Sequence, residues 1–307
     1  MTPSPVSELG YRFSVPATTA NLGPGFDSLG MALALRNVIS VQPVPGEALD
    51  LKVTGAVGLP AGEDNLMVKA MRRVLGERKV GAQIEVSAHI PPASGMGSSA
   101  AAIVSGVMAG SLLLDDPLEP ADLIKLAVEI EGHPDNVAAA MLGGLTASSY
   151  VDGTLLVRRI PTENIRVVIA LPKVEASTAD QRAALPDSVP LKDAAANIGR
   201  AVLVVEALRA GDLGLLRDAM VDCLHVPARS EAIPGYEAVV RAAQSAGAQA
   251  VTISGAGPAV IAFAGSRHRQ IAAALETAFR SAGAPARTWV LPVDRDGLRG
   301  EQFEGEA

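Results

Sequence analysis

The chain has 307 residues, of which 49% are hydrophobic and 19% charged, a composition typical of an ordinary globular protein with one large or two modest domains. The formal net charge of −7 argues against a general nucleic-acid binder, which needs a cationic face, but allows a nucleotide in a local pocket. The single cysteine, Cys223, excludes an internal disulfide and fits a reducing compartment, so we expect a cytoplasmic protein.

In the N-terminal half, the residue pattern predicts short strands interleaved with helices. Residues 13–58 predict β segments interrupted by Gly and Pro, and residues 83–90 alternate like a half-buried strand. Apolar residues spaced by three and four predict a helix over residues 65–75. Further helices are predicted from about residue 98 and over residues 120–131 and 135–141. A hairpin is predicted around Asp152-Gly153.

From Ile165 the pattern restarts with a strand, a polar segment and a long helix. Two helices are then predicted, over residues 236–246 and 267–282, with the strands AVTISG and AVIAFAG between them and ARTWVLPV after them. This interleaving lacks the regular alternation of a doubly wound sheet, so an α+β fold is favoured. We expect domains over residues 1–163 and 164–307, and a frayed tail after Arg299.

The strongest chemical signal is the segment Pro91-Pro92-Ala93-Ser94-Gly95-Met96-Gly97-Ser98-Ser99-Ala100-Ala101, which joins a strand to a helix. Gly95 and Gly97 let the backbone take positive φ and approach a ligand closely. The free N–H groups and the dipole at the start of the helix suit a triphosphate. Ser98 or Ser99 would offer Mg²⁺ a hydroxyl oxygen. The segment is not a Walker A loop, and the alternative is a glycine-rich turn with a serine N-cap.

Ionisable groups concentrate in a second segment, Glu129-Ile130-Glu131-Gly132-His133-Pro134-Asp135-Asn136, at the junction of two predicted helices. Glu131 is the candidate carboxylate ligand of Mg²⁺, which takes few protein oxygens. Glu129 ranks second because, two residues away, it would face differently on a helix. The alternative is structural, with Asp135 or Asn136 as the N-cap of the second helix.

A substrate that carries both an ammonium and a carboxylate needs an anionic or carbonyl cradle and a cationic fork. Asn21 and Asp27 lie in a bent Gly-Pro-Gly loop and can converge on an ammonium, although both are also common turn residues. Arginine suits a carboxylate because its planar group binds bidentately. Arg182 and Arg229 lie in loop-like segments, where the alternative is a solvated surface position.

These segments resemble the motifs of the GHMP kinase superfamily. The glycine loop is similar to its phosphate motif, Pro-x-x-x-Gly-Leu-Gly-Ser-Ser-Ala-Ala, with Met96 in place of the leucine. The segment PATTANLGPGFD, residues 16–27, resembles the first motif, and VTISGAGPAVIAF resembles the third, a glycine turn beside the phosphate site. The motifs occur in the family's order, so the resemblance covers nearly the whole chain.

The resemblance implies an ATP- and Mg²⁺-dependent small-molecule kinase. Its N-terminal domain would be like ribosomal protein S5 domain 2, its C-terminal domain ferredoxin-like, and both ligands would lie between them. The form of the first motif implies L-homoserine as the substrate, phosphorylated on its hydroxyl on the route to threonine, with Asn21 and Asp27 at its amine. His133, Asp135 and Asn136 would border the hydroxyl. The proton acceptor stays open between Asp135, His133 and the phosphate, since no lysine partner is apparent.

Two other functions stay open, namely a kinase of sugar or isoprenoid alcohols and a ligand sensor without turnover. Asn21, Asp27 and the two arginines argue against the first, and the retained metal ligands argue against the second. A homodimer is implied by the resemblance alone. We expect no signal peptide, because the N-terminal residues have neither a basic start nor an apolar run. We expect no membrane partner, because the longest apolar stretch, residues 100–114, is shorter than the roughly 20 residues that span a bilayer.

Overall fold

The computed structural model describes residues 9–55, 59–60, 62–174 and 178–304. Its strands are β1 (Leu9–Ala20), β2 (Leu29–Val44), β3 (Leu49–Thr54), β4 (Gly81–Ser87), β5 (Leu145–Val151), β6 (Thr154–Ile160), β7 (Arg166–Pro172), β8 (Ala250–Ile253), β9 (Val260–Phe263), β10 (Ala286–Pro292) and β11 (Arg299–Glu304). Its helices are α1 (Leu66–Leu75), α2 (Ser98–Leu112), α3 (Pro120–Glu131), α4 (Pro134–Leu142), α5 (Thr178–Ala183), α6 (Leu191–Ala210), α7 (Leu213–Ala219), α8 (Val226–Ser230), α9 (Tyr236–Ser245) and α10 (His268–Ser281). Across the described residues, no helix is both long and apolar enough to cross a membrane.

The larger sheet has the order β11-β1-β2-β4-β3, and the hairpin β5–β6 is attached to β2. All its pairings are antiparallel except β3 with β4. Helices α2 and α4 pack against β1 and β2, and small or aliphatic side chains fill the core between them. Gly30 permits the close approach of α4, because a Cβ there would overlap the carbonyl oxygen of Asp135.

The smaller sheet has the order β10-β7-β9-β8 and is antiparallel throughout. Helices α9 and α10 cover one of its faces. Val168, Ile253 and Phe279 belong to the apolar core between these helices and the sheet. Two sheets, each with its own helices and without a regular β-α-β alternation, confirm the predicted α+β fold.

Several predicted elements are confirmed, and others differ from the prediction in length. Helix α3 covers the predicted residues, and the turn at Asp152-Gly153 closes the β5–β6 hairpin. Over residues 13–58, β3 is short as predicted, but β1 and β2 are longer than the predicted segments. Strand β1 continues past Pro16 because a register shift at Pro16/Ala17 accommodates the proline.

The described part of the C-terminal tail forms a strand where we expected fraying, and residues 305–307 lie outside the described residues. Residues after Arg299 form β11, which pairs antiparallel with β1 and places Gln302 opposite Tyr11. Without β11, the edge of β1 would present unpaired backbone N–H and C=O groups. These groups form hydrogen bonds with the tail and keep it in the sheet. The division at residues 163 and 164 remains a prediction, since this last strand lies in the larger sheet with the N-terminal strands.

Candidate active site

A cleft lies between the larger sheet's helices and the segments that follow β7. Its lining includes ten side chains singled out from the sequence, namely Asn21, Asp27, Ser98, Ser99, Glu131, His133, Asp135, Asn136, Arg182 and Arg229. They come from segments separated by up to about two hundred residues of chain. The structure therefore brings the predicted phosphate, metal and substrate groups to one place.

The glycine loop ends at the start of α2 and leaves that helix end open. Gly97 is the N-cap, with φ 69°, and no side chain caps the helix. The serine N-cap that the sequence offered as an alternative is therefore wrong. The first N–H groups of α2 have no carbonyl four residues earlier within the helix, so they face the cleft as anion donors.

Both loop glycines are required by close contacts as well as by positive φ. Gly95 has φ 74°, and a Cβ there would overlap the carbonyl oxygen of Ser254. A Cβ at Gly97 would overlap the hydroxyl of Thr18. Because backbone and side chains from three segments meet here, neither position accommodates a larger residue without displacing the loop.

Part of the predicted phosphate segment serves only through its backbone. Met96, Ala100 and Ala101 are fully buried in the core. Ser94 shapes the loop, because its Oγ donates to the Pro91 carbonyl (2.7 Å) and accepts from the N–H of Met96 (3.2 Å). These side chains hold the loop in place, while its backbone and the two following serines face the cleft.

The third motif fixes the loop from the other side of the cleft. Ser254 Oγ donates to the Gly95 carbonyl at 2.7 Å and lies 3.0 Å from Thr19 Oγ1. The N–H of Ala259 donates to the Ser94 carbonyl at 3.3 Å. The phosphate loop is thus attached to both sheets, which restricts its movement relative to the substrate side.

Ser99 and Glu131 bring a hydroxyl and a carboxylate into contact at the start of α2. Ser99 Oγ donates to Glu131 Oε1 at 2.5 Å, and the Glu131 side chain is 6% exposed. Burial raises the pKa of Glu131 above its ordinary value, because the charged form loses hydration. Glu129, the second candidate, is exposed and does not line the cleft.

This pair fits Mg²⁺, which is bound through one or two protein oxygens together with phosphate oxygens and water. A buried carboxylate that is in contact with a hydroxyl, and is costly to keep charged, would be stabilised by a cation. Among the residues that the structure describes, no cluster of three or more His, Cys, Asp or Glu forms a metal cage. The donor set therefore suits a metal that arrives with a nucleotide.

The break between α3 and α4 orients the second acidic group. Gly132, with φ 89°, ends α3, and His133 is the N-cap of α4 without a side-chain capping bond. Asp135 and Asn136 are thus inside the helix, so their predicted alternative as N-caps is wrong. Asp135, only 2% exposed, accepts at Oδ1 from His133 Nδ1 (3.0 Å) and from the N–H of Asn136 (2.8 Å).

The hydrogen bond to Asp135 raises the pKa of His133, since it stabilises the protonated ring. On the other side, Asn136 Oδ1 accepts from Thr18 Oγ1 at 2.8 Å, and the Thr18 N–H donates to the Met96 carbonyl at 3.1 Å. Thr18 thereby connects the acidic group to the phosphate loop. Sequence reasoning missed it, although it lies inside the quoted first motif.

The loop between β1 and β2 holds its two polar residues in left-handed backbone conformations. Asn21 and Asp27 have φ 67° and 50°. Asn21 is 4% exposed, and its Nδ2 donates to the Gly255 carbonyl at 2.9 Å, while its Oδ1 accepts from the N–H of Asp27 at 3.0 Å. The Asn21 side chain thus fixes the loop, and its oxygen keeps a second lone pair for a ligand.

Arg182 and Arg229 have different surroundings. Arg182 makes two hydrogen bonds to the Asp27 carboxylate, at 3.0 and 2.8 Å, which raise the pKa of Arg182. Arg229 is 2% exposed and contacts only neutral acceptors, with Nη1 3.3 Å from His225 Nδ1 and 3.4 Å from the Gly255 carbonyl. Burial, and then the charge of Arg182, lower the pKa of Arg229.

A buried guanidinium without an anion is costly. In the described part of the chain, no carboxylate lies within salt-bridge distance of Arg229. The only lining cations are Arg182, Arg229 and the titratable His133, and no lysine lines the described cleft. The arrangement therefore favours a ligand that brings its own negative group to Arg229.

Phe26 and His225 complete the substrate side, and sequence reasoning missed both. The Phe26 ring stacks on His225 at 5.1 Å and lies beneath both guanidinium groups, 5.7 Å from Arg182 and 5.3 Å from Arg229. His225 is fully buried and contacts the Gly23 carbonyl through Nε2 at 2.9 Å. Burial lowers the pKa of His225. The available signal was an aromatic residue next to Asp27 in a chain with five phenylalanines.

Comparison with known proteins identifies the family. The family model for the GHMP kinases N terminal domain matches residues 65–144, and that for the GHMP kinases C terminal matches residues 204–282. A homoserine kinase of Moorella thermoacetica is 43% identical over 88% of this chain and 92% of its own length. One of Carboxydothermus hydrogenoformans is 38% identical over 95% of this chain and 97% of its own length.

Solved structures agree with this assignment. The crystal structure of homoserine kinase from Cytophaga hutchinsonii superposes with a TM-score of 0.85 at 30% identity, covering 98% of this chain and 100% of that chain. A mevalonate kinase of L. major, 20% identical with a TM-score of 0.72, covers 92% of this chain and 96% of that chain and shares the fold. The two-domain architecture inferred from the motifs is therefore confirmed. The chain belongs to the GHMP kinase family, and the relatives that it resembles over most of its length are homoserine kinases.

Proposed function

We propose that this protein transfers the γ-phosphoryl group of ATP to the side-chain hydroxyl of L-homoserine, giving O-phospho-L-homoserine and ADP for threonine biosynthesis. The observation that carries the proposal is Arg229, a buried guanidinium that contacts only neutral acceptors, in the same cleft as an open helix N-terminus. The relatives at 38–43% identity, which are homoserine kinases, support it.

The nucleotide would lie across the glycine loop. Its phosphates would accept from the loop and the first N–H groups of α2, an arrangement that favours anions. A mostly apolar pocket adjoins this site and shares Ala93, Ser98 and Ser99 with the cleft. Leu51 and Met67 are among its apolar lining residues, so it suits the adenine ring.

L-Homoserine would use both charges of the Arg182–Asp27 pair. Its carboxylate would bind Arg229 and the outer edge of Arg182, so that the buried guanidinium gains an anion. Its ammonium would bind Asp27 and the free lone pair of Asn21 Oδ1. A ligand with both charges leaves neither side chain unpaired, whereas an isoprenoid alcohol or a sugar cannot satisfy this cradle.

Mg²⁺ would be held by Glu131 and by the hydroxyl of Ser99 or Ser98, and it would neutralise charge on the phosphates of the bound nucleotide. This assignment has its own test. Changing Glu131 to Gln keeps the hydrogen bond from Ser99 but removes the charge. We expect a much higher Mg²⁺ concentration for half-maximal rate, whereas the exposed Glu129→Gln control should resemble the parent.

The chain's own groups would position the hydroxyl and handle its proton. Asp135 has one oxygen occupied by His133 and the Asn136 N–H, which directs the carboxylate. The raised pKa of His133 favours its protonated form, so it is better suited to donate to Asp135 than to act as a base. Of these two side chains, Asp135 would therefore be the proton acceptor, and the phosphate is the alternative acceptor. In a loose transition state the hydroxyl loses its proton late, so this group contributes mainly by positioning the hydroxyl.

The assembly and the location are also proposals. The family resemblance supports a homodimer. Cys223 is a free thiol, which supports a cytoplasmic location.

The decisive experiment is a coupled ADP-release assay with Mg·ATP against L-homoserine, L-serine, L-threonine, mevalonate and galactose. We expect a strong preference for L-homoserine, and an Arg229→Lys variant that raises the KM for it but not for ATP. Turnover of mevalonate or galactose alone would refute the substrate assignment and keep the kinase. ATP binding without turnover of any acceptor would instead favour the sensor.

A further inference from the structure

Helix α6 exposes an apolar face to solvent. Every exposed position between residues 193 and 205 is apolar, and these positions are Ala195, Ala196, Ile198, Gly199, Val202 and Leu203. Ile198 and Val202 are 69% and 66% exposed. Their spacing by three and four residues places them on one side of the helix. A contiguous apolar face of this kind marks an interaction surface, unlike single exposed aliphatic residues.

The other long helices of the same half of the chain do not share this feature. On α9 the exposed positions include Glu237, Arg241 and Gln244, and on α10 they include Arg269 and Arg280. The apolar residues of α6 therefore do not follow from the chain's general composition. Since a solvated helix face is normally charged or polar, this face of α6 is built for a different environment.

Gly199 lies at the middle of this face, and no contact within the chain requires a glycine at this position. It does not adopt positive φ, and an added Cβ there would meet no atom within 4 Å. Glycine is less favourable than alanine inside a helix, so the position is not explained by local stability. A glycine does allow another backbone to approach closely, and that use requires a second element against α6.

The charges at the two ends of the face identify the orientation of that element. Lys192 and Glu206 are both exposed, and each is seven positions from Gly199 along the chain. Glu206 also accepts two hydrogen bonds from Arg209 of its own helix, both at 2.8 Å, and keeps its exposed side towards a partner. In an antiparallel pair of α6 helices that cross at Gly199, Lys192 would face Glu206 of the partner subunit, and the reciprocal pair would form on the other side. In a parallel pair, like charges would meet. The face is therefore complementary to itself in one orientation.

We infer that a second copy of this chain docks on the exposed face of α6, with the two α6 helices antiparallel around Gly199. This names the surface through which the proposed homodimer forms, and it does not depend on which acceptor is phosphorylated. Ile198 and Val202 would be the apolar centre of the contact, and the Lys192–Glu206 pairs would flank it.

Sedimentation velocity of the full-length protein at micromolar concentration tests the inference. We expect the mass of two chains for the parent and of one chain for Ala195→Glu. The matched control is Ala273→Glu, the same change at an exposed alanine of α10, and it should stay dimeric. A monomeric parent, a dimeric Ala195→Glu protein, or equal dissociation in the control would overturn the inference. Measuring ADP release on the same samples keeps this outcome separate from that for the kinase function.

A charge exchange tests the antiparallel orientation. Lys192→Glu alone and Glu206→Lys alone should each weaken the dimer, because each creates repulsion with the partner subunit. The double variant should restore the dimer towards the parent affinity, since opposite charges meet again. Gly199→Leu should abolish the dimer without unfolding the monomer, as judged by circular dichroism. Failure of the double variant to recover, or a dimeric Gly199→Leu protein, would rule out this arrangement.

Discussion

The two halves of the cleft are built in different ways. The phosphate half is one continuous segment that presents backbone N–H groups, and several of its side chains, such as Met96, are buried in the core. The substrate half is assembled from side chains of distant segments, including Asp27, Arg182 and Arg229. Backbone recognition depends on the shape of the loop, whereas side-chain recognition depends on which groups are present and how they are held.

This difference predicts opposite responses to mutation. In the phosphate half, adding a single methyl group should be severe, while conservative changes of core side chains should matter little. In the substrate half, small changes of volume should be tolerated. The loss of a charged group, or of a residue that positions one, should instead raise the KM for the substrate. The following predictions test the contrast from the largest expected effect to the smallest.

Gly97→Ala should give the largest effect. The new Cβ would collide with Thr18 Oγ1 at a residue with φ 69°, so the loop would shift and the donors of α2 would no longer meet the phosphates. We expect kcat/KM for ATP to fall by about a thousandfold, the upper range for losing a preorganised anion site. Steady-state kinetics with varied ATP measure it.

Gly211→Ala is the matched control, because Gly211 has the same left-handed backbone as Gly97 (φ 69°, ψ 19°), but a Cβ there would meet only the exposed side chain of Glu163, at 3.1 Å. It should lower stability by about 1 kcal/mol through backbone strain and leave the kinetics unchanged. Equal loss of activity in both variants would show that strain, not the collision, is responsible. Full activity of Gly97→Ala would contradict the backbone account of the phosphate half.

Arg229→Lys should give the next largest effect. Lysine keeps the charge but loses the planar fork, so the carboxylate of the substrate would bind less well. We expect the KM for L-homoserine to rise about a hundredfold, in keeping with the strength of a buried, charge-assisted pair. The KM for ATP should not change.

The control is Arg280→Lys, the same change at an exposed arginine of α10. Kinetics with each substrate varied separately distinguish the two cases. A parallel increase of both KM values would mean that Arg229 supports the whole cleft and does not bind the substrate directly.

The sequence predicted the phosphate half well because its determinants are adjacent along the chain. The glycines, the serines and the start of α2 can be read together, since a helix end follows from local signals. Thr18 was missed because its role depends on Asn136, a contact between residues 118 positions apart. The order of the tail in β11 also depends on a distant edge, that of β1.

The same reason explains the gaps in the substrate half. Residue type indicated that Arg182 and Arg229 could bind a carboxylate, but sequence spacing could not show that one is paired with Asp27 and the other is not. His225 carried no local signal, because its function is to contact Gly23 and Arg229 from behind the cleft. Local sequence patterns identify the charged side chains, and only the fold shows which of them already have a partner within the protein.

Phe26→Leu should have an intermediate effect on the substrate half alone. Leucine fills part of the volume but provides no π face beneath the two guanidinium groups, which then repel each other without compensation. We expect the KM for L-homoserine to rise about tenfold, equivalent to about 1.4 kcal/mol, with little change for ATP. Phe26→Tyr keeps the ring and should restore the parent KM. Failure of tyrosine to rescue would argue for packing alone.

His225→Gln should have the smallest effect, visible mainly in the pH dependence of stability. Burial lowers the pKa of His225, so below about pH 6.5 the unfolded chain binds a proton that the folded chain does not. The free energy of unfolding of the parent should therefore decrease as the pH falls below that value, by at most about 1.4 kcal/mol per pH unit from this residue. Above it, the contribution is constant.

Glutamine can still donate to Gly23 and accept from Arg229 but does not titrate, so the variant should lose this part of the pH dependence. Urea unfolding at pH 5.5 and 7.5 measures it, with the exposed His89→Gln as the control. If the parent and His225→Gln respond equally to pH, the imidazole is protonated in the folded state. Nδ1 could then no longer accept from Arg229, and the guanidinium would have to be positioned by Phe26 and by the carbonyls of Gly255 and Gln181.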